Sequence, residues 1–456
     1  MLCAFIAVCQ ENPIEKKLFD TGHLYKTYFG QAIPLVLSMT VTMIYNLADT
    51  YFIAQTGNTL LVAGVSLCAP IFNLLMAFGN IYAQGGSSLI SRLFGMDDRP
   101  SVGRVSSFCF YLAIFTGIVI GALMLLFRQP ALHILGASRD TMAYASEYYV
   151  TLAFGSPVII VNYIHANMLR SEGKANESMI GTIGGAVINI VLDPIFISVL
   201  GMGAFGAALA TVIGYLASVL YFLFIVLRSR GSLSVNFFSK KVSSSEIRQI
   251  LSVGITAAIT NLASSVTVIV MNQYLAPLGD EKIAALGIVL KVVTVATLVL
   301  VGFSFGGVPM FGYLFGAGDF ASFKKLLRFC TLFIAGLGLA ISIVVFLAAS
   351  PLIRVFLDTP SIVPDGTLML RWQISGLVFA SIVLLYTCVF QATGKALPAL
   401  VLSLSRQGLV FLGIFFALTL IFGYQGFLAS QAAADLVSAL LALGLHVRMS
   451  KSLRAA

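Results

Sequence analysis

Long apolar segments follow one another along almost the whole chain, separated by short polar stretches. Each holds 20 or more mostly apolar residues, the length that an α-helix needs to cross a bilayer. None shows the alternating polarity that is typical of strands in a membrane barrel. The pattern therefore predicts an all-α integral membrane protein. Its twelve transmembrane helices are expected at roughly 29–53, 60–85, 104–127, 146–169, 176–200, 204–227, 250–276, 283–308, 324–348, 367–391, 396–421 and 424–447.

The composition agrees with this pattern, because 59% of the residues are hydrophobic and only 10% are charged. A soluble domain carries about 25% charged residues. The six cysteines have neither metal-ligand nor disulfide spacing, and the chain has no Walker A sequence and no nucleophile–base arrangement. We therefore expect no resident cofactor, no direct use of ATP and no enzymatic activity.

The basic residues are unevenly distributed between the predicted loops. If the N-terminus is cytoplasmic, 20 of the 27 Lys and Arg residues lie in cytoplasmic segments and five lie in external loops. This bias is the positive-inside pattern of a multi-pass protein. It predicts a plasma-membrane protein with both termini in the cytoplasm, and it explains the net charge of +9 without a nucleic-acid partner.

Two halves of the chain align at a constant offset of 221 residues. AQGGSSLISRLFGMDD at 83–98 aligns with SFGGVPMFGYLFGAGD at 304–319, and LRSEGKA at 169–175 aligns with FQATGKA at 390–396. Each half holds six predicted spans, so both halves face the same way in the membrane, as in transporters built from parallel repeats.

The repeat and the polar linker between its halves give the expected domain organisation. Two six-helix lobes would enclose a central cleft, although a duplicated channel or scaffold would have the same repeat. The boundaries are a cytoplasmic N-terminal segment at 1–24, a first lobe at 25–227, a cytoplasmic linker at 228–249, a second lobe at 250–447 and a cytoplasmic tail at 448–456.

Two acidic residues, Asp49 and Asp193, lie well inside the first and fifth predicted spans. A charge at the bilayer centre costs roughly 2.5–3.5 kcal/mol on insertion scales. Asn189 lies one helical turn before Asp193, so both are on one helix face. Asn162 in span four and Thr211 in span six add further polar groups to the same bundle. Such oxygens can hold a hard cation, and a carboxylate removed from water can instead bind a proton.

The second half lacks these acids. At the offset of 221, Asp49 corresponds to Val270 and Asp193 corresponds to Ile414. A six-helix bundle of this kind therefore forms without them, which favours ion coupling as their role. A purely structural, hydrogen-bonded pair of carboxylates remains the alternative.

Several ordered motifs resemble one known family. NLADTYFIAQTG, LRSEGK, NIVLDPIF, GAALATVIG and FGYLFGAGD occur in the order and positions typical of multidrug and toxic compound extrusion (MATE) transporters, within the DinF-like and MepA-like branch. The resemblance covers about residues 25–447. It implies two six-helix lobes around a cleft and export of cationic and amphipathic organic compounds against inward flow of protons or sodium ions.

The resemblance also implies roles for particular residues. Asp49, Asn189 and Asp193 look like the ion site of the family's first lobe, to which Thr211 and Asn162 would contribute. The same residues would hold a sodium ion if sodium is the coupling ion. Pro34 resembles the proline at which the first helix bends. The acids that another branch carries in helices seven and ten have no counterpart here, which places ion coupling in the first lobe alone.

Three further charged residues lie in apolar surroundings. Lys291 in span eight and Arg406 in span eleven could shape the potential of the cleft, or they could snorkel or form a fixed interhelical pair. Asp435 in span twelve could be a second coupling acid or the partner of Arg406. His165 in span four could relay protons, although a packing role is the simpler interpretation.

Three functions are compatible with the sequence. The first is an exporter of organic cations in exchange for protons or sodium ions, acting as a monomer among membrane lipids. The second is a flippase for lipid-linked precursors, which would need a cleft rich in Arg and Lys, whereas the interiors of spans one to six have none. The third is a scaffold or channel without accumulation of substrate.

Overall fold

The computed structural model describes residues 21–229, 231–237, 241–356, 359–360 and 362–455, and all regular structure in these residues is helical. The first half contains α1 (Leu24–Gln55), α2 (Thr59–Leu67), α3 (Ala69–Gly95), α4 (Arg99–Leu126), α5 (Arg128–Ile134), α6 (Met142–Ser171), α7 (Ala175–Pro194) and α8 (Gly203–Arg228). The second half contains α9 (Ser244–Leu275), α10 (Asp280–Gly306), α11 (Val308–Gly316), α12 (Phe320–Leu347), α13 (Ala349–Phe356), α14 (Ile362–Ser375), α15 (Leu377–Ala392), α16 (Ala396–Gln407) and α17 (Leu409–Ala455). Segment 1–20, which holds most of the predicted N-terminal segment, lies outside the described residues.

Ten helical stretches in the described residues are long and apolar enough to cross a membrane, or eleven if the bent pair α14 and α15 is counted as one crossing. Four of these stretches contain two helices, namely α2 with α3, α10 with α11, α14 with α15, and α16 with the part of α17 before Gly423. The pair α14 and α15 is bent by 45°. The apolar stretch Ala396–Met449 has 54 residues, and a straight helix of that length would be about 80 Å long. The backbone leaves the helical conformation at Gly423 (φ 56°, ψ −129°), which divides the stretch into two parts, each long enough to cross a bilayer. Counting the two parts separately gives the twelve crossings that the sequence predicts.

Buried apolar residues form two separate cores. The first core runs from Ile53 to Ile250 and is built by the first half together with the start of α9. The second core contains residues of the second half up to Met449. The beginning of α1 packs into this second core through Leu24 and Tyr28. The two lobes are therefore joined by helices that begin on one lobe and end on the other.

Glycines of the sequence repeat lie where the two halves touch. A Cβ atom added to Gly85 of α3 would lie 2.0 Å from the carbonyl oxygen of Ile250 in α9. At its counterpart Gly306 of α10, an added Cβ would lie 2.4 Å from Cα of Ala32 in α1. Each half therefore uses the same glycine to bring a helix against the first helix of the other half.

Acids of the same repeat stabilise helix ends. Asp98 accepts a hydrogen bond from the backbone N–H of Ser101 at 3.2 Å, and Asp319 accepts one from that of Ser322 at 3.0 Å. Both are N-cap residues, of α4 and α12. Their recurrence reflects helix capping and sets them apart from the acids inside the membrane.

Residues 231–237 of the linker lie on the first half. Oε1 of Glu172 accepts a hydrogen bond from the backbone N–H of Ser232 at 2.6 Å. The hydroxyl of Tyr111 donates to the carbonyl oxygen of Val235 at 2.8 Å. This stretch is therefore bound to the first lobe over most of its length.

Candidate functional site

Five of the predicted site residues come from four helices of the first half. Asp49 lies on α1, Asn162 on α6, Asn189 and Asp193 on α7, and Thr211 on α8. Helix α7 packs against α1, α6 and α8, so its polar face meets the others inside the bundle. We call these five residues the first-lobe polar site.

Asp193 lies at the deepest point of this site, with a relative exposure of 0%. Asn189, one turn earlier, is also buried and reaches both Asp193 and Thr211. Its amide nitrogen lies 3.4 Å from Oδ1 of Asp193 and 3.4 Å from Oγ1 of Thr211. With the amide turned by 180°, its nitrogen donates to Oδ2 of Asp193 at 3.2 Å and its oxygen accepts from the backbone N–H of Thr211 at 3.1 Å. In either orientation the amide of Asn189 donates to the carboxyl group of Asp193.

Asp49 faces the same region from α1. Its Oδ1 atom is buried, and its carboxyl group makes no hydrogen bond with any residue that the structure describes. The side chain lies close enough to Asp193, Tyr45 and Tyr148 to interact with them electrostatically. No Lys, Arg or His in the described ranges forms an ion pair with Asp49 or Asp193.

A cavity of ≈ 80 Å³ adjoins this site. Its wall includes Asn162, whose buried Oδ1 atom has no hydrogen-bond partner among the described residues. Most other lining side chains carry a hydroxyl or an amide, namely Thr42, Tyr45, Tyr163, Thr182, Asn189, Thr211, Tyr215 and Ser218. The volume is enough for a water molecule, and the oxygen-rich wall suits a small cation or its water ligands.

Close packing of α7 on α8 places Asn189 opposite Thr211. A Cβ atom on Gly185 would lie 1.9 Å from Oγ of Ser218 and 2.5 Å from the carbonyl oxygen of Gly214. Any larger side chain at this position would separate the two helices.

The end of α7 is irregular just beyond Asp193. Pro194 has no backbone N–H to donate, and the following residues Ile195–Val199 form a π-helix. Such wide turns are frequent at functional sites in helices. The irregular backbone lies directly beside the acid that the sequence singled out.

Pro34 lies in the interior of α1, which continues through it from Leu24 to Gln55. The proline leaves one carbonyl group of the preceding turn without its usual backbone donor. The carbonyl oxygen of Pro34 accepts a hydrogen bond from Oγ of Ser38 at 2.8 Å. Helix α1 is thus continuous here but has a weak point fifteen residues before Asp49.

The remaining charged candidates lie in the second half. Nε of Arg406 donates to Oδ1 of Asp435 at 2.9 Å, and the Asp435 side chain is only 2% exposed. Lys291 is exposed on α10 and makes no ion pair with the described residues. His165 in the first half is buried, its ring lies 5.1 Å from that of Phe110, and neither ring nitrogen has a hydrogen-bond partner in the described ranges.

Sequence reasoning missed part of this site. Thr42 and Tyr45 line the cavity but were not predicted, although both lie on the helix face of Asp49, at spacings of seven and four residues. Gly185 was missed because only the packing against α8 shows its role. No group of three or more His, Cys, Asp or Glu side chains that could hold a metal occurs among the described residues.

Comparison with known proteins identifies the family to which the chain is similar. A profile of the MatE family matches residues 34–195 and 256–419. The multidrug export protein MepA of Staphylococcus haemolyticus is 32% identical over 425 residues, which cover 93% of this chain and 94% of the relative. MepA of Staphylococcus aureus is 29% identical over the same shares.

Solved structures show the same architecture. A MATE structure in the bent conformation has a TM-score of 0.91 at 23% identity, and the match covers 98% of this chain and 99% of that one. A MATE structure in the straight conformation has the same TM-score and identity, covering 98% and 100%. These matches support the twelve-helix, two-lobe fold.

Proposed function

Because the chain belongs to the MatE family of membrane transporters, we propose that it exports cationic and amphipathic organic compounds in exchange for protons or sodium ions. Two relatives that align with this chain over nearly their full length are named multidrug export protein. The observation that carries the coupling proposal is the first-lobe polar site, in which Asp49 and Asp193 lie without a basic partner in the described residues.

The polar site would couple the ion to a change of conformation. A proton or sodium ion that binds Asp49 and Asp193 removes negative charge from the bundle, and sodium would gain further oxygens from Asn162, Asn189 and Thr211. An ion shifts the balance between two conformations only if it binds one of them better. We propose that the outward-open form takes up the ion, that α1 then bends near Pro34, and that substrate leaves.

The membrane arrangement is part of the same proposal. Both termini would lie in the cytoplasm, and the protein would act as a monomer in the plasma membrane. The lobes would correspond to residues 25–227 and 250–447, joined through 228–249, with the tail at 448–456 on the cytoplasmic side. Alternating access would then arise from movement of the two lobes around the cleft, as in other transporters built from repeats.

Flux in proteoliposomes tests the function. The full chain is reconstituted, and accumulation of a fluorescent lipophilic cation is followed under a proton gradient and, separately, under a sodium gradient. We expect uphill accumulation with at least one gradient. A channel or scaffold would give no uphill accumulation with either gradient.

Neutral variants test the site. Asp49→Asn and Asp193→Asn are expected to lose gradient-driven accumulation. Asp97→Asn is the matched control, because Asp97 lies in a loop with 88% of its side chain exposed. Undiminished accumulation in both membrane variants would reject the coupling role of the site.

A further inference from the structure

A second and larger cavity lies in the second half. It has a volume of ≈ 350 Å³ and is bounded by α9, α10, α14, α15, α16 and α17. Hydroxyl groups of Thr267, Thr294 and Thr297 line it together with Arg406 and apolar side chains. A small-molecule pocket typically has about 300–1,000 Å³ and a few polar groups in a mostly apolar wall. We call it the second-lobe cavity.

The two cavities occupy equivalent places in the repeat. Gly185 and Ala186 line the cavity of the first lobe. At the offset of 221 they correspond to Arg406 and Gln407, which line the second-lobe cavity. Duplication therefore preserved a cavity at this place in both halves while its chemistry diverged.

The last helix of each half shows the same equivalence with an offset of 220. Gly203 and Gly423, where the last crossing of each half begins, have nearly identical φ angles of 55° and 56°. Counting from these glycines, Tyr215 in the wall of the first cavity corresponds to Asp435 in the wall of the second. An ion pair in the second lobe therefore replaces a glycine and a tyrosine in the first.

The geometry of this ion pair leaves part of Arg406 free. Its Nε atom donates to Oδ1 of Asp435, which also accepts from Nε2 of Gln431 at 3.2 Å. The two terminal nitrogens of Arg406 donate to no residue in the described part of the chain, and the Arg406 side chain is 21% exposed. Asp435 holds the guanidinium by one edge, so the other edge can donate to a ligand in the cavity.

We propose that the second-lobe cavity is a ligand subsite in which the terminal nitrogens of Arg406 bind a carboxylate of a zwitterionic amphipathic compound. Two parallel N–H···O bonds match a carboxylate to the planar guanidinium. Because Asp435 balances the charge of Arg406, the cavity wall is neutral as a whole and does not repel the cationic part of the same compound. The inference deepens the proposed export function by naming a class of compound.

Binding of two matched dyes tests the subsite. The probes are a cationic xanthene dye as its ethyl ester and the same dye as its free carboxylate, which is a zwitterion. Fluorescence polarisation measures the Kd of each for the purified full chain in lipid nanodiscs, without any ion gradient. The double variant Arg406→Gln, Asp435→Asn removes both charges and leaves no buried carboxylate unpaired.

We expect the double variant to lose affinity for the carboxylate dye only. The double variant is expected to bind the carboxylate dye at least about tenfold more weakly and the ester dye with unchanged affinity. Lys291→Gln, which removes an exposed positive charge outside the cavity wall, is expected to change neither. Equal weakening of both dyes, or no weakening of the carboxylate dye, would overturn the proposal.

A conservative variant keeps the test decisive if the double variant does not fold. Arg406→Lys retains a positive charge beside Asp435 but lacks the planar pair of donors. Arg406→Lys is expected to weaken binding of the carboxylate dye alone. An unchanged affinity for this dye would contradict the subsite. Since no gradient is used, a protein that binds selectively but fails to accumulate dye would contradict the export function and leave the subsite standing.

Discussion

Gly95 of the first half and Gly316 of the second lie on opposite sides of one helix contact between the lobes. A Cβ atom on Gly95 would lie 2.1 Å from the carbonyl oxygen of Tyr313, and one on Gly316 would lie 2.2 Å from that of Arg92. The two glycines are 221 residues apart and therefore equivalent in the repeat. They close the lobes together at the membrane side that is predicted to face the cytoplasm.

Alanine at either glycine is expected to open this contact. Since the clash is with backbone atoms, α3 and α11 must move apart, which shifts the population away from the closed form. Ser88, whose hydroxyl bonds the carbonyl oxygen of Gln391 across the contact, provides a reporter. In a background without native cysteines, Ser88→Cys should react faster with a water-soluble maleimide when Gly95→Ala is present.

The control for this prediction is Gly336→Ala on α12. A Cβ atom there has no neighbour within 4 Å. It should leave the labelling rate of Ser88→Cys unchanged. Equal labelling with Gly95→Ala and with the control would show that the glycine contact does not hold the lobes closed.

Adjacent glycines on α7 give a second prediction. Gly185 contacts α8, whereas a Cβ atom on Gly184 would meet nothing within 4 Å. Gly185→Ala should lower the free energy of unfolding by about 1–3 kcal/mol through overpacking. Gly184→Ala should leave it unchanged or raise it by up to about 1 kcal/mol, because alanine favours the helix. Thermal unfolding in detergent compares the two, and an equal Tm for both variants would contradict the packing argument.

The hinge role of Pro34 makes a third prediction. Alanine restores a backbone N–H inside α1, and proline in a helix interior costs about 3 kcal/mol relative to alanine. Pro34→Ala should therefore keep or raise the Tm while reducing gradient-driven accumulation about tenfold. Pro157→Ala, at a proline inside another long membrane helix of the first half, should reduce it less. Full activity of Pro34→Ala would exclude a hinge at this position.

The ion pair of the second lobe makes a fourth prediction. Arg406→Met leaves Asp435 buried without its cation, and breaking a buried pair costs about 3–5 kcal/mol. Because Arg406 is partly exposed, we expect the lower end of that range. Lys291→Met should stay within about 0.5 kcal/mol, since Lys291 is exposed and forms no ion pair with the described residues. Thermal unfolding measures both variants. An equal loss of stability in the two would show that the Arg406–Asp435 ion pair does not stabilise the fold.

The helices and the two acids inside them could be predicted from the sequence because polar residues stand out against long apolar segments. A carboxylate such as Asp193 is conspicuous inside an apolar span. The repeat was visible through glycines and helix-capping acids, and the structure gives these residues roles that only a few residue types can fill. Gly85 lies against a backbone carbonyl group, and Asp98 caps α4.

Features that depend on contacts between distant segments could not be predicted. The start of α1 packs into the core of the second half, although the repeat places the whole helix in the first lobe. The bend of 45° between α14 and α15 has no equivalent break in α6, although Gly155 and Gly376 correspond in the repeat. Local sequence favours a break beside Gly155, because Pro157 follows it by two residues, yet α6 is continuous there. The packing around each glycine must therefore decide whether the helix breaks.

The attachment of residues 231–237 to the first lobe has a practical consequence for expressing the protein as two fragments. The linker looks like a free tether in the sequence, yet Ser232 and Val235 are bound by Glu172 and Tyr111. A gene cut before this stretch would remove the backbone N–H that donates to Oε1 of Glu172 and the carbonyl group that accepts from the hydroxyl of Tyr111. Complementing fragments should therefore be divided after residue 237, so that residues 231–237 stay with the first lobe, to which Phe237 also packs through Tyr111.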